Sequence, residues 1–323
     1  MPKHIAFLLL GCLALVACGG ASSSQGGASF DAPLSNEVER HEEDDHHDHE
    51  HVHVDASEAT APLEVALVSS ELVVGPNRFA VGLFDEERQV VQDADVHLHY
   101  YDLSEPSAPA LEIEADARAV HTPDGRTTIY THERVFERAG EWGVEVQARF
   151  TDGTAALRRI GFEVLAESPT LKPGQAVPAL ETPTLESVDG DLTRITSAFE
   201  PNPALYEMSL AQALTSGRPT ALLFATPAFC QTRFCGPAYE EISDLQEWYG
   251  NAVNFIHVEV YTGLPDPASN NWEIAPAMLG FGLTTEPWLY LIDAEGQVYQ
   301  RLEGVFSADE VESRLAAMVD AGG

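Results

Sequence analysis

The sequence predicts a multidomain chain in which an all-β unit is followed by an α/β unit, behind a long N-terminal segment without regular structure. Between about residues 62 and 166, short runs alternate apolar and polar residues and are separated by Gly-, Pro- and Asp-bearing turns, a pattern typical of antiparallel strands. From residue 185 onward, apolar strand-like runs alternate with amphipathic helical segments, which is typical of an α/β unit. Hydrophobic residues make up 44% of the 323 positions, enough for two ordinary cores.

The N-terminus is an export signal by composition. One Lys precedes an apolar or small stretch from Ile5 to Ala17, which is too short to span a bilayer but suits a signal peptide. The residues up to Cys18 resemble the lipobox of bacterial lipoproteins. The resemblance implies that residues 1–17 are removed and that Cys18 is acylated, so that the chain is extracytoplasmic and lipid-anchored to a bacterial membrane, at the cell surface or in the periplasm. The alternative is an ordinary secretory signal that happens to contain Cys.

Residues 18–61 predict a disordered tether, because the Gly/Ser run and the charged stretch after it show no apolar periodicity. Six histidines alternate with carboxylates there, a ligand mixture suited to Zn(II), Cu(II) or Ni(II). We therefore expect weak Zn or Cu binding by the tether, and we expect that the chain requires no cofactor; the alternative is a solvated acidic segment with incidental histidines. The six are His41, His46, His47, His49, His51 and His53.

The formal net charge is −35. A surface this acidic repels phosphate backbones, so nucleic acid is excluded as a partner.

Residues 62–166 contain the segment AGEWGVEV at a turn into a late strand, and here the chain resembles immunoglobulin-like modules of secreted bacterial proteins. The resemblance implies a β-sandwich and says nothing about activity. Within it, His97 and His99 project from one face of a strand. Two such histidines can share a metal ion, with His121 or His132 as a third ligand. The alternative is a pair of surface histidines on a solvated strand face.

Residues 167–184 are Pro-rich and predict an interdomain linker. In the last unit, Ala238, Ile242 and Leu245 form one stripe of an amphipathic helix, and Ser307 with Glu310 is typical of a helix N-terminus. The predicted order is a helix at 208–217, a buried strand at 218–226, a helix at 237–250, a strand at 251–261, a hairpin at 286–304 and a helix at 307–319.

This order, with a cysteine-bearing turn after the first strand and a Pro at the start of the hairpin, resembles the thioredoxin superfamily over residues 185–323. The resemblance implies a cis peptide bond before Pro287, lying against the cysteines, and thiol–disulfide exchange with a protein thiol or disulfide as partner. Cys230 would attack, Cys235 would resolve, and Pro287 would shape the substrate groove.

The residue types around the cysteines suit this chemistry. A helix N-terminus stabilises a thiolate, and Arg233 between the two sulfurs would act in the same direction. Glu286, beside the expected cis bond, would raise the thiol pKa and could accept a proton. In an extracytoplasmic compartment, Cys230 and Cys235 are also expected to form a disulfide at least part of the time.

The sequence departs from the thioredoxin pattern in three ways. Four residues separate the cysteines instead of two, Leu223 stands where a buried acid is expected, and Phe229 replaces a Trp. Two registers are therefore open. Counting back from the helix end makes Cys230 the nucleophile, which we favour, whereas the local Cys-Gly-Pro match at Cys235 would reverse the roles.

Two other interpretations use the same residues. A copper site on the two sulfurs would need a distal His, and no His follows position 257. A purely structural disulfide would instead make the chain a non-enzymatic lipoprotein that binds metal or a partner protein. Whether the protein is an enzyme therefore depends on the accessibility and reactivity of the two cysteines.

Overall fold

The computed structural model describes residues 54–105, 107–230, 234–264 and 272–321. The predicted signal peptide, the predicted acylation site Cys18, the histidine-rich tract and Arg233 lie outside the described residues. None of the described helices is long and apolar enough to cross a membrane.

The N-terminal unit consists of antiparallel strands in two four-stranded sheets, ordered β1-β2-β6-β5 and β4-β3-β7-β8 within the described residues. The strands are β1 (Glu64–Leu67), β2 (Gly75–Phe84), β3 (Ala94–Asp102), β4 (Ala110–Asp116), β5 (Arg118–His121), β6 (Thr128–Phe136), β7 (Gly140–Phe150) and β8 (Ala155–Val164).

The core of this unit lies between the two sheets. Inward-facing side chains from both sheets form one cluster, including Phe79 and Phe136 from one sheet and Tyr100 and Trp142 from the other. Rings of Phe136 and Trp142 meet edge to face with centroids 5.1 Å apart. Along each strand, core residues alternate with residues on the outer face of the sheet. This alternation produces the period-two pattern from which the strands were predicted.

The C-terminal unit contains the predicted order of strand, cysteine-bearing turn, helix, strand, hairpin and helix. Its elements are α1 (Leu210–Ala213), β9 (Thr220–Ala225), α2 (Cys235–Tyr249), β10 (Asn254–Glu259), β11 (Tyr261–Thr262), β12 (Glu273–Ile274), α3 (Pro276–Phe281), β13 (Trp288–Ile292), β14 (Val298–Glu303) and α4 (Ala308–Ala321). Short 3-10 helices cover Glu186–Val188, Leu192–Arg194 and Pro203–Tyr206.

The main sheet of this unit has the order β10-β9-β13-β14, with β10 parallel to β9 and β13 antiparallel to both of its neighbours. Every residue of β9 is buried, which suits a central strand covered on both faces. Helices α2 and α4 share one apolar cluster with one face of the sheet, and α3 packs on the other face. The turn that follows β9 therefore lies at the edge of a three-layer unit and leads into the N-terminal end of α2.

The segment predicted as a linker runs along the C-terminal unit. Leu171 donates its N–H to the carbonyl of Phe281 at 3.2 Å, and Val177 donates to that of Gly296 at 2.9 Å. Gly282 ends α3 with φ of +73°, and a Cβ there would overlap the carbonyl oxygen of Pro169. Glycine is required at this position both for the left-handed conformation and for the close approach. The domain boundaries at 167 and 184 stay predictions.

Buried ion pairs join the two units. The guanidinium of Arg78 in β2 forms a two-pronged contact with Glu310 in α4, at 2.7 and 2.8 Å, and its Nη2 also donates to the carbonyl of Val305 at 2.8 Å. Arg301 in β14 pairs with Glu71 at 2.8 Å. The planar guanidinium matches a carboxylate in this geometry, so these contacts set the orientation of one unit on the other.

An apolar contact between the units reaches the cysteine turn. Phe234, the residue before α2, packs against the cluster formed by Ala80, Val120, Ile129 and Val305. The first three belong to the outer face of the sheet β1-β2-β6-β5. The β unit therefore supports the N-terminal end of the cysteine-bearing helix.

Candidate functional site

The two cysteines lie on either side of the start of α2. Cys235 is the first residue of the helix and is fully buried, whereas Cys230, at the end of the described part of the turn, is half-buried. The backbone N–H of Cys235 donates to Cys230 Sγ at 3.4 Å. Cys230 therefore receives the N–H and the positive end of the helix, both of which stabilise a thiolate.

Cys235 is held as a neutral thiol. Its hydrogen bond to Cys230, together with burial, raises the pKa of Cys235 well above its ordinary value, and the negative charge of Glu286 adds to this effect. A thiol that donates to the neighbouring sulfur stabilises negative charge on Cys230. The two positions are thus chemically unequal: one sulfur is set up to carry charge and the other to supply a proton.

Glu286 and Pro287 stand at the start of the predicted hairpin. The Glu286–Pro287 peptide bond is cis, as the thioredoxin resemblance implies, and β13 begins at the next residue. Burial raises the pKa of Tyr261, and the negative charge of Glu286 raises it further, as it does that of Cys235. Arg233, the other charged residue expected here, lies outside the described residues.

Three aromatic rings pack together at the residue before Cys230. Phe229, which precedes Cys230, lies against Trp272 with ring centroids 4.5 Å apart, and Trp272 in turn lies 5.2 Å from Tyr261. Phe229 was predicted as the replacement for a Trp, whereas Trp272 was not among the residues predicted for this site. The indole comes from a distant segment, so only tertiary packing brings it beside the cysteine turn.

His257 is part of a buried network behind the turn. Its Nε2–H donates to the carbonyl of Ala225 at 3.0 Å, and its Nδ1 accepts from the hydroxyl of Tyr206 at 2.7 Å. The hydroxyl of Tyr239 in α2 lies 3.5 Å from that of Tyr206. Because both ring nitrogens are hydrogen-bonded, His257 braces the end of β9.

His257 predicts a pH-dependent stability. Burial lowers the pKa of His257 to about 4, while an unfolded histidine titrates near 6.5. Below pH 6.5 the unfolded chain therefore binds a proton that the folded chain does not, and the free energy of unfolding falls as pH drops toward 4. The expected loss from this residue is about 3 kcal/mol, measured by urea unfolding between pH 7 and 4.

A His257→Gln variant isolates this contribution, since glutamine keeps a donor for the Ala225 carbonyl and does not titrate. Its unfolding free energy should decline less than that of the wild type over the same pH range. An exposed-histidine control, His121→Gln, should follow the wild-type profile. Parallel profiles for wild type and His257→Gln would contradict the assignment.

Glu259, at the end of β10, is a buried carboxyl that sequence analysis missed. It lies opposite Ala225 in the sheet, and its carboxylate accepts from the backbone N–H of Ser197 at 2.8 Å. Burial raises the pKa of Glu259. The next residue after Ala225 is Thr226, whose backbone N–H lowers the pKa of Cys235. The alternation in NFIHVEV placed Glu259 on the same face as His257, which was the available signal.

His97 and His99 lie together in one group of candidate metal ligands, as expected, but the third ligand and the burial of the pair differ from the expectations. His97 and His99 are both buried on the outer face of β3, so they are not solvated surface residues. His121 and His132 lie in β5 and β6 of the other sheet, and the expectation that one of them is a third ligand is wrong. The third candidate metal ligand beside His97 and His99 is Glu114 of β4.

Comparisons with known proteins show partial structural similarity. No family model and no curated protein matches the chain. A thiol:disulfide interchange protein of the thioredoxin family from Chlorobium tepidum TLS is 15% identical, with a TM-score of 0.32, over 48% of this chain and 99% of that one. CopC from Methylosinus trichosporium OB3b is 16% identical, with a TM-score of 0.22, over 30% of this chain and 85% of that one. The PmoD soluble domain from Methylocystis sp. ATCC 49242 (Rockwell) is 14% identical, with a TM-score of 0.21, over 33% of this chain and 93% of that one.

Similarity of this extent assigns neither an activity nor a ligand to this chain.

Proposed function

We propose that the protein is a thiol–disulfide oxidoreductase that acts on protein thiols or disulfides, with Cys230 as the attacking sulfur and Cys235 as the resolving one. The observation that carries the proposal is the hydrogen bond from the N–H of Cys235, at the helix start, to Cys230 Sγ. It stabilises the thiolate on the more accessible of the two sulfurs, and the thiolate is the nucleophile in exchange.

The reaction balances with the two sulfurs alone. The Cys230 thiolate attacks a partner disulfide, forms a mixed disulfide and releases one partner thiolate. Cys235 then loses its proton and attacks Cys230 Sγ, which releases the second partner thiolate and leaves the Cys230–Cys235 disulfide. Two electrons pass from the cysteine pair to the partner, and the reverse sequence oxidises a partner dithiol.

A cavity next to the turn offers room for a partner segment. It has a volume of about 580 Å³ and is lined by turn and helix residues that include Pro227, Gly236 and Tyr239. Phe199 at its edge is 97% exposed. An exposed aromatic ring at a cavity that the cysteine-bearing turn lines suits apolar contact with an extended polypeptide.

The structural features around the turn support the domain assignments that accompany this function. We infer that the C-terminal unit is thioredoxin-like, because its sheet order, cysteine-bearing helix start and cis Pro287 occur together. We infer that the N-terminal unit is an immunoglobulin-like sandwich, because two antiparallel four-stranded sheets enclose its core. The lipobox at Cys18 supports an extracytoplasmic, membrane-anchored location.

A redox titration tests the function. The full mature chain, equilibrated in thiol–disulfide buffers and then alkylated, should give a midpoint above about −270 mV, since oxidoreductases lie in that range and stabilising the Cys230 thiolate favours the reduced form. A pair that stays oxidised below about −300 mV would instead be a structural disulfide. A Cys235→Ala variant, which cannot form the pair, sets the background.

A further inference from the structure

A second chemical site lies on the outer face of the sheet β4-β3-β7-β8. His97 and His99 in β3 pair across the sheet with Asp116 and Glu114 in β4, on the side away from the sandwich core. His97 is 2% exposed and His99 is 0% exposed. Buried imidazoles carry a desolvation cost that a hydrocarbon side chain would avoid, so their presence as a pair calls for a chemical role.

A carboxylate lies next to one nitrogen of each imidazole. Asp116 Oδ1 lies 2.7 Å from His97 Nδ1, and Glu145 Oε1 lies 3.5 Å from His99 Nδ1. Glu145 is fixed in turn by Arg159, whose Nε and Nη2 both lie 2.7 Å from its Oε2. A carboxylate on one nitrogen sets the tautomer and ring orientation of a histidine whose other nitrogen binds a metal ion.

Glu114 completes a set of ligand atoms. Its Oε1 lies 3.9 Å from His99 Nε2, and one atom each from His97, His99 and Glu114 lie within 4.8 Å of one another. Ligand atoms around a tetrahedral zinc ion are about 3.3 Å apart for bonds of about 2.0–2.1 Å. Glu114 keeps 35% of its side chain exposed, so it can rotate inward and also leaves an access route.

The local charge favours a cation. Arg159 is engaged by Glu145, while Glu114 and Asp116 both face the imidazoles. A divalent ion among these groups would offset the carboxylate charge, and imidazole with carboxylate is a ligand mixture for Zn(II) and Cu(II). We propose that His97, His99 and Glu114 bind one divalent transition-metal ion. This site is independent of exchange at the cysteines.

The chain entering the β unit is anchored over the same face. The N–H of Val54, which is buried, donates to Gln147 Oε1 at 2.8 Å, and Gln147 Nε2 donates to Glu145 Oε1 at 2.7 Å. The histidine-rich tract ends one residue earlier, at His53. A tether that collects metal ions weakly would therefore raise their local concentration next to the strand site.

Zn(II) titration of a tract variant tests the strand site. In the full mature chain, all six tract histidines are replaced by Asn, and Zn(II) binding is followed by calorimetry. We expect one Zn(II) per chain to remain. Asp116→Asn in that background should weaken binding by about 10–100-fold, as expected for a group that orients a ligand. Glu114→Gln should weaken it at least as much, and His99→Gln should abolish it.

Matched measurements keep the test decisive. His121→Gln, in the other sheet, should leave Zn(II) affinity unchanged. Cu(II) bound to the tract variant should show coupling to two imidazole nitrogens by electron paramagnetic resonance, and to one after His97→Gln. Because Glu114 is partly exposed, Glu114→Gln should fold even where a buried histidine variant does not. A tract variant that binds no Zn(II), or a folded Glu114→Gln with unchanged affinity, would overturn the proposal.

Discussion

Replacing Cys230 with serine is expected to abolish disulfide exchange, with a loss of at least about a thousandfold in the rate of reduction of a protein disulfide. The hydroxyl that replaces the thiol stays protonated and is a poor nucleophile. Cys235 Sγ is fully buried, and its hydrogen bond to Cys230 together with burial raises its pKa, which outweighs the opposite effect of the Thr226 backbone N–H. The reaction therefore has no second route through Cys235.

Cys235→Ser separates attack from resolution. This variant keeps the accessible sulfur, so it should form a mixed disulfide with its partner and then stall. Mass spectrometry of alkylated adducts from cells should find partner proteins on Cys235→Ser and none on Cys230→Ser. The opposite result would assign the attack to Cys235, in keeping with the reversed register, and adducts on neither variant would leave the pair as a structural disulfide.

Arg78→Met is expected to lower the free energy of unfolding by about 3 kcal/mol. The side chains of Arg78 and Glu310 are 7% and 3% exposed, so removing the guanidinium leaves a carboxylate buried between the units. Arg314 lies 3.2 Å from Glu310 and still offsets part of the negative charge of this carboxylate after Arg78 is removed. The expected loss of unfolding free energy is therefore at the low end of the range for a broken buried ion pair. Urea unfolding followed by tryptophan fluorescence measures the loss.

Two controls accompany this substitution. Arg88→Met removes the exposed Arg88–Glu64 pair, whose side chains are 78% and 56% exposed, and should change stability by less than about 1 kcal/mol. Combining Arg78→Met with Glu310→Gln removes the buried charge as well and should recover part of the loss. An Arg78→Met variant as stable as Arg88→Met would show that the contact does not join the units.

The same interface bears on the cysteine site. Phe234, one residue before Cys235, packs on the β unit, and Val305 joins the same cluster. Loosening the two units should therefore disturb the start of α2 before it disturbs the sheet behind it. Comparing the redox midpoint of Arg78→Met with that of Arg88→Met would show how far the β unit supports the reactive turn.

Local patterns in the sequence were sufficient for the order of elements in the C-terminal unit. The stripe of Ala238, Ile242 and Leu245 placed the cysteine-bearing helix, and all three lie in one apolar cluster. The Ser307 side chain accepts from the N–H of Glu310 at 3.3 Å, as its position before α4 predicted. These features depend on residues three or four positions apart, so periodicity alone reveals them.

The sequence predicted which strand residues share a face, but not which faces are buried. Alternation showed that His97 and His99 share one side of β3, and it suggested either a surface pair or a metal pair. Burial of that side depends on what covers the sheet from outside, and the covering segment includes Val54, more than forty positions earlier in the chain. Glu114 meets the pair through strand register, which the spacing between two strands does not determine.

By itself, the sequence determined the alternation that separates the two units, the position of the cysteines at a helix start and the acidic character of the chain. Tertiary structure alone decided which sulfur receives the helix N–H, that Trp272 lies beside Phe229, and that Arg78 finds Glu310. The reason is physical: periodicity and capping are set by neighbours in the chain, whereas these contacts join residues brought together only when the sheets and helices pack.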